Sequence, residues 1–392
     1  MNRAAGPRVA FVNGGILGLA SFAEFVRREL VPDARLRATS IVLTEQLTSS
    51  ERALRRLMCL PLAPRHGALA NADLLRFRAE LHAGVQARRR LARRGPFDVL
   101  HFHRQATAYA SLGLMRRVPA IVSIDCTQSC ALDEAASRVE RRTIALNAAR
   151  DGAVFRHAAA IISTSRWAAD DLQRRYPDCR TAVHVMPPPV LSDGFDESWI
   201  AGRQARAAAG ARPRVLFVGA DFERKGGRDL LDAWQMGGCA SRADLVLVTD
   251  WPIADPLPQG VRVCRGVRAF TREWYERWRE ADLFVMPTRH EAFGLVFQEA
   301  AAAGLPAIGT FHNAVPEIVA DGETGLLVPV RRIDRLASAM NRLIDDGGLR
   351  VRMGAAARAK IRRDADPVRY REQLIALIEQ LCHARRAREG SS

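Results

Sequence analysis

Short apolar runs recur along this chain, each bounded by turn or polar residues and separated from the next by a longer amphipathic stretch. RVAFVN (8–13), ATSIVL (38–43), DVLHFH (98–103), PAIVSID (119–125) and AAAIISTS (158–165) read as buried strands. Between them, SFAEFVRREL (21–30) and the Arg- and Ala-rich stretches 71–94 and 133–157 carry helical patterns. Continuous apolar strands alternating with helices are what a parallel sheet covered on both faces requires. VHVMPPPVLSDGFD (183–196) breaks the alternation. Consecutive prolines neither continue a helix nor donate to a sheet, so the segment reads as a linker or hinge. The pattern then restarts with RVLFVGA (214–220), ADLVLVTD (243–250), GVRVCRGV (260–267), ADLFVMPT (281–288), LPAIGT (305–310) and GLLVPV (325–330). GRDLLDAW (227–234), TREWYERWREA (271–281) and PEIVADG (316–322) are the helical segments between them. Residues 331–384 read as two or three helices that end in a basic, frayed tail, ARRAREGSS.

The expectation is an α/β protein of two doubly wound domains facing a cleft, residues 1–190 and 191–365. A C-terminal helix and basic tail, 366–392, then packs back toward the first domain. In such sheets ligands bind at the carboxyl ends of the strands.

Charge changes this picture little. The net charge of +16 invites a nucleic-acid reading, but only two basic residues, Lys225 and Lys360, are lysines, and the arginines are spread over the whole chain. That distribution reads as a compositional habit rather than a polyanion patch, and no nucleic-acid partner is expected. Attraction to anionic membrane surfaces or phosphorylated substrates stays open. The seven cysteines are scattered without a C-x-x-C, which reads as reduced thiols in a cytoplasmic protein. The N-terminus enters a strand-like run at once, leaving no room for a signal peptide, and no apolar stretch is long enough to span a bilayer. Work at a membrane, if any, is peripheral and at its inner face.

Two stretches carry chemistry. LFVGADFERKGGRDLLDAW (216–234) runs from strand through a glycine-bearing turn into a helix. Gly226 and Gly227 let backbone approach an anion, and the helix aims free N–H groups at it. Arg224 and Lys225 flank that turn. A lysine in a chain that otherwise prefers arginine suits phosphate as a compact point charge, although a buried strand–helix turn also wants glycine for steric reasons alone. RHEAFGLVFQEAAAAGLPAIGT (289–310) repeats the geometry. Glu291 precedes a helix that starts near Gly294 or Leu295, and Glu299 lies inside it. Backbone N–H groups at the start of that helix form an anion site.

The two glutamates admit three readings: a catalytic pair, two contacts on one ligand, or a solvated helix face. Carboxyls that cleave a glycosidic bond stand roughly 5–9.5 Å apart. Eight residues including a helical turn span about 10 Å or more of backbone. Separate contacts along one extended ligand fit that spacing better.

E-A-F-G-L-V-F-Q-E followed by A-x-A-x-G-L-P-A-I-G-T resembles the E-x7-E signature of the retaining glycosyltransferases of family 4, which have the GT-B fold. V-G-x-D-F-E-R-K-G-G-x-x-L-L-x-A-W resembles their phosphate-gripping loop, and F-H-N-A-V-P-E-I-V-x-D-G-E-T-G-L-L-V (311–328) the segment after the signature. D-V-L-H-F-H and A-A-A-I-I-S-T-S-R-W resemble strands of the N-terminal domain. The resemblance covers most of the chain and is densest over 214–330.

The resemblance implies a role for each matching residue. Glu299 holds the ribose hydroxyls of a nucleotide-sugar, and Glu291 the hydroxyls of the donor sugar. Ala292 and the amides of Phe293, Gly294 and Leu295 lie along the donor near its phosphates. Arg224 and Lys225 neutralise the departing diphosphate, so no metal and no cofactor is expected. Gly14, Gly15 and Gly18 form a loop near donor phosphates and acceptor. The leaving phosphate takes the acceptor proton, without a side-chain nucleophile.

Two positions depart from the family pattern. Ala220 stands where many relatives carry arginine, and Arg224 is then the candidate replacement. Asp125 stands where many carry histidine. It is either a group that accepts a hydrogen bond from the transferred sugar or an Asx-turn residue at a strand end. Of His101 and His103, strand alternation leaves at most one facing the cleft, with His103 the candidate for contact with acceptor or donor sugar. Trp274 and Trp278, spaced i, i+4, read as core.

The implied function is retaining transfer of a sugar from a UDP- or GDP-sugar to a sugar, lipid-linked or small-molecule acceptor, in glycan, glycolipid or polysaccharide synthesis. A catalytically degenerate sugar-nucleotide-binding protein and a nucleotide-sugar epimerase are the alternatives.

Overall fold

The computed structural model describes residues 6–15, 20–45, 47–58, 68–132, 138–191, 194–253 and 256–389. The chain divides into two compact units, Val190–Asp366 and Met1–Pro189 together with Pro367–Ser392.

Among the described residues the first unit holds six parallel strands, β1 (Arg8–Asn13), β2 (Arg37–Val42), β3 (Val99–His103), β4 (Ala120–Ile124), β5 (Ala160–Ser163) and β6 (Val183–Val185), in the order β2-β1-β3-β4-β5-β6. The chain leaves β1 in one direction to β2 and returns past it to β3, so the strand order reverses between β1 and β3. β6 is a correction to the linker reading. Val183–Val185 pairs with β5 as an exposed edge strand, and only the prolines that follow, which have no N–H to donate, end the ladder. A second correction concerns the histidines. Side chains alternate with a period of two, so residues two apart share a face. His101 and His103 therefore lie together, their rings 6.2 Å apart, and Phe22 stacks on His103 at 4.0 Å.

The helix Pro367–Glu389 belongs to this unit. It buries Tyr370 edge-on against Phe25, at 5.4 Å, and pairs Arg371 with Glu29 and Arg35 with Glu372. The tail expected to fray is helical as far as Glu389.

The second unit repeats the plan with β7 (Arg214–Val218), β8 (Asp244–Val248), β9 (Val261–Cys264), β10 (Leu283–Val285), β11 (Ala307–Thr310) and β12 (Gly325–Val328). All pairs are parallel, and the order β12-β11-β10-β7-β8-β9 reverses between β7 and β10. Trp274 and Trp278 are buried in its core, as expected. Arginines are structural here. Buried Arg203 donates to Ala281 O, Ala303 O and Trp278 O, and buried Arg358 donates to Ala302 O and Phe195 O. The carbonyls of Ala302 and Ala303 end the helix Leu295–Ala302, where cations are favoured. Part of the basic excess thus satisfies carbonyls inside the fold. Among the described residues every cysteine is a free thiol, and no helix is long and apolar enough to cross a membrane.

Candidate active site

In the second unit the loops after β7 and β10 leave adjacent strands at the point where strand order reverses, the usual position of a ligand in such sheets. Their sequences fix their shapes. Gly226 has φ 75°, and a Cβ there would overlap the Pro287 carbonyl, so glycine alone allows the first loop to lie against the second. Gly294 has φ 96° and caps the helix Leu295–Ala302 without a side-chain hydrogen bond. The amides of Gly294, Leu295 and Val296 meet no protein acceptor among the described residues.

Several bonds stitch the loops together. Arg289 donates to both carboxylate oxygens of buried Asp229, at 3.0 and 2.5 Å. Arg289 N donates to Arg224 O, and Arg224 Nη1 to His290 O at 2.7 Å. Asn313 Nδ2 donates to Glu291 O. Across this junction Lys225 Nζ contacts Glu291 Oε2, with both side chains largely buried. Burial pulls the Lys225 ammonium down to about 7. Arg224 adds to that fall, while Asp221 and Glu299 oppose it. Glu299 keeps some exposed surface, yet the protein packed around its carboxyl raises it to about 8 against the pull of Lys225. The arrangement is a pair of loops with open backbone amides, backed by Lys225, Glu291 and Glu299.

Arg224 is half-exposed. Its Nε donates to Asp221 at 3.1 Å, and its backbone N–H also reaches Asp221. Ala292 is half-buried, Phe293 is buried, and Ala220 is exposed.

In the first unit, Gly14 and Gly15 follow β1. Gly15 has φ 67°, its N–H donates to Asn13 Oδ1 at 2.8 Å, and its carbonyl accepts from Thr44 Oγ1. Gly18 lies outside the described residues. His103 is buried, and burial holds its ring well below the usual imidazole range, with His101 and Arg104 adding to the effect. His101 bonds Ser123 Oγ at 2.9 Å and is pulled down to about 3 by burial. Asp125 is half-buried in the bend after β4. Beneath it runs a polar network that spacing did not reveal. Buried Asp151 accepts from Tyr109 Oη (2.6 Å), Gln105 Nε2 (3.2 Å) and the Gln128 amide (2.8 Å), and burial lifts its carboxyl to about 7.

Two family models match this chain: "Glycosyltransferase Family 4" over residues 42–192 and "Glycosyl transferases group 1" over 212–346. A D-inositol 3-phosphate glycosyltransferase of Xylanimonas cellulosilytica is 29% identical over 221 residues, which is 52% of this chain and 53% of that protein. A GDP-mannose-dependent α-(1-6)-phosphatidylinositol monomannoside mannosyltransferase of Mycobacterium tuberculosis is 34% identical over 197 residues, 45% of this chain and 50% of the other.

The chain belongs to glycosyltransferase family 4.

It spans about half the length of the curated relatives it matches. Solved structures show the same fold at lower identity. Sucrose-phosphate synthase from Thermosynechococcus elongatus superposes with TM-score 0.70 at 19% identity, covering 96% of this chain and 100% of that one. Anabaena HepE in complex with UDP-glucose gives 0.63 at 17%, covering 95% and 100%. The fold is GT-B, with two Rossmann-like domains.

Within this family 4 chain, the strand–loop–helix motifs of the second unit could be read in advance because each lies within about twenty residues. The Asp229–Arg289 strut could not, since its partners stand sixty positions apart. The one available signal was an aspartate in the first turn of the helix Gly227–Met236, a position that also suits the helix dipole.

Proposed function

We propose that this chain is a retaining glycosyltransferase that moves a sugar from a UDP- or GDP-sugar to an acceptor hydroxyl. The observation that carries the proposal is the Lys225–Glu291 contact beside the unpaired amides of Gly294–Val296, with Glu299 behind them on the same helix. Glu299 would accept from the ribose hydroxyls, Glu291 would orient the sugar, and the amides with Lys225 and Arg224 would receive the diphosphate. As the bond from the anomeric carbon to phosphate oxygen breaks, its electron pair passes to the diphosphate. The acceptor oxygen attacks from the same face, and its proton goes to that leaving oxygen. Preorganised positive charge at the leaving group is the main source of acceleration in such a site. Lys225 and Arg224 would provide it without a metal ion, so turnover should survive chelation.

The relatives named above act on inositol phosphate and on a phosphatidylinositol mannoside, which supports a role in glycan or glycolipid synthesis. The same proposal places the enzyme in the cytoplasm, with its positive charge available for peripheral contact with the inner membrane face. One observation favours a second reading, a non-catalytic sugar-nucleotide-binding protein. Ala220 supplies no charge, and Arg224 is already engaged by Asp221 and His290.

A thermal-shift screen of UDP-, GDP- and ADP-sugars tests binding, since a ligand at 100 times its Kd adds about 2.7 kcal/mol. Glu299→Ala should weaken nucleotide and nucleotide-sugar alike, by about 10- to 100-fold for a lost charged hydrogen bond. Glu291→Ala should mainly lower turnover. Absence of any shift sinks both readings, and binding without turnover leaves the second.

A further inference from the structure

Arg104 follows the last residue of β3 with φ 94° and ψ 130°. This backbone region is almost confined to glycine, and side-chain-bearing residues held there cluster at functional sites. Neighbours fix the conformation. The Arg104 N–H donates to Ser123 O at 2.9 Å, and its carbonyl accepts from Thr107 N at 3.1 Å and Thr107 Oγ1 at 2.7 Å. A glycine would make the same turn without strain, so the turn alone does not account for an arginine.

The side chain does. Its guanidinium is about one-quarter exposed and, among the described residues, makes one polar contact, from Nη2 to Oε1 of buried Glu80 at 3.3 Å, long for a charge-assisted bond. Glu80 also accepts from Gln128 Nε2 at 2.8 Å, which fixes the turn after β4. The other guanidinium N–H groups meet no protein acceptor among the described residues. Next in the chain, the buried Nδ1 of His103 also has none. Both residues stand at the carboxyl end of β3, beside the Gly14–Gly15 turn of β1, where the strand order of the first unit reverses.

We infer that Arg104 selects an acceptor bearing an anionic group, a phosphate or carboxylate, bound over the ends of β1 and β3 with the His103 ring beside it. The inference rests on the glycosyltransferase reading for the word acceptor, but the anion site stands on the first unit alone. A planar fork with open N–H groups matches such an oxyanion in two-point fashion. Glu80 engages one N–H of the guanidinium only. Asp125 stands in the bend after the neighbouring strand β4.

Calorimetric titration of the full chain with glucose, glucose 6-phosphate, glucuronate and dihexanoyl phosphatidylglycerol tests this without turnover. At least one anionic probe should bind about 10- to 100-fold tighter than glucose, the range of a charged hydrogen bond. Preference for the soluble probes or for the phospholipid identifies the source of the anion. Arg104→Gly, which relieves the strained turn, should lose that preference while keeping nucleotide-sugar binding. Arg104→Gln should lose it too and serves if the glycine variant does not fold. Equal binding of all probes by the native chain, or an unchanged preference in these variants, overturns the assignment. If anions bind through Arg104 while no nucleotide-sugar binds, the transferase reading falls and the anion site remains.

Discussion

Below the loops of the second unit, ionisable side chains of opposite sign meet: Lys225 contacts Glu291, with Glu299 near enough to influence the lysine. Below the strand ends of the first unit, a fully buried carboxyl, Asp151, is instead wrapped in neutral donors from Tyr109, Gln105 and the Gln128 backbone amide. The same physical term, withdrawal of water, acts on both. In the second unit it leaves a lysine and a carboxylate whose charges an incoming ligand can restore. In the first it leaves an acid suited to holding a turn in place. Desolvation alone therefore does not mark a reactive group. What separates the two places is whether the surrounding loops leave donors open, as the amides of Gly294–Val296 are open and the donors around Asp151 are not.

The largest test of this contrast is Lys225→Ala. Removing the cation that would receive the leaving phosphate should lower turnover about 100- to 1,000-fold, the usual cost of one charge-stabilising donor, with little loss of thermal stability. A large drop in Tm with unchanged turnover per folded molecule would make Lys225 structural like Asp151. Next is Asp151→Asn, which turns an amide toward donors that need an acceptor. It should cost about 1–3 kcal/mol of stability, read as a lowered Tm, while nucleotide-sugar affinity stays unchanged. Its pH dependence follows the raised folded value. The folded state keeps the proton from about pH 4 to about pH 7 where the unfolded chain has lost it, so this contribution to stability falls as pH rises through that window. The asparagine variant should lack that component.

The smallest effect is the pH dependence of binding. Lys225 loses its proton above about 7 in the empty site, and diphosphate favours the charged form. Affinity for UDP or GDP should therefore fall by up to about tenfold per pH unit above 7. Lys225→Arg should flatten that component. Glu299 acts in the opposite sense. Ribose favours its carboxylate, so nucleoside affinity should rise toward pH 8, where Glu299 ionises. Parallel pH profiles for nucleoside and nucleoside diphosphate would contradict this assignment of the two groups.

Among the described residues, periodicity located eleven of the twelve strands, because most of them are buried on both faces and so apolar along their length. It missed β6, whose three residues sit at an exposed edge and carry no such signature. The histidines show a different failure. Both were visible, but their shared face follows from a period of two that the linear reading misapplied, and their burial depends on Phe22 from another element.

The sequence by itself determined the two parallel sheets and the strand–loop–helix segments of the second unit. Gly226 and Gly294 shape those loops through backbone conformation, and Glu291 and Glu299 take their places from the helix start, which are local properties. Only the tertiary structure decided the charge pairing across the loops, the Asp229–Arg289 strut, the Asp151 network and the strained Arg104. Each of these joins residues from separate strands and helices. Their energies come from removing water between groups that are distant in the chain, and no local spacing records that.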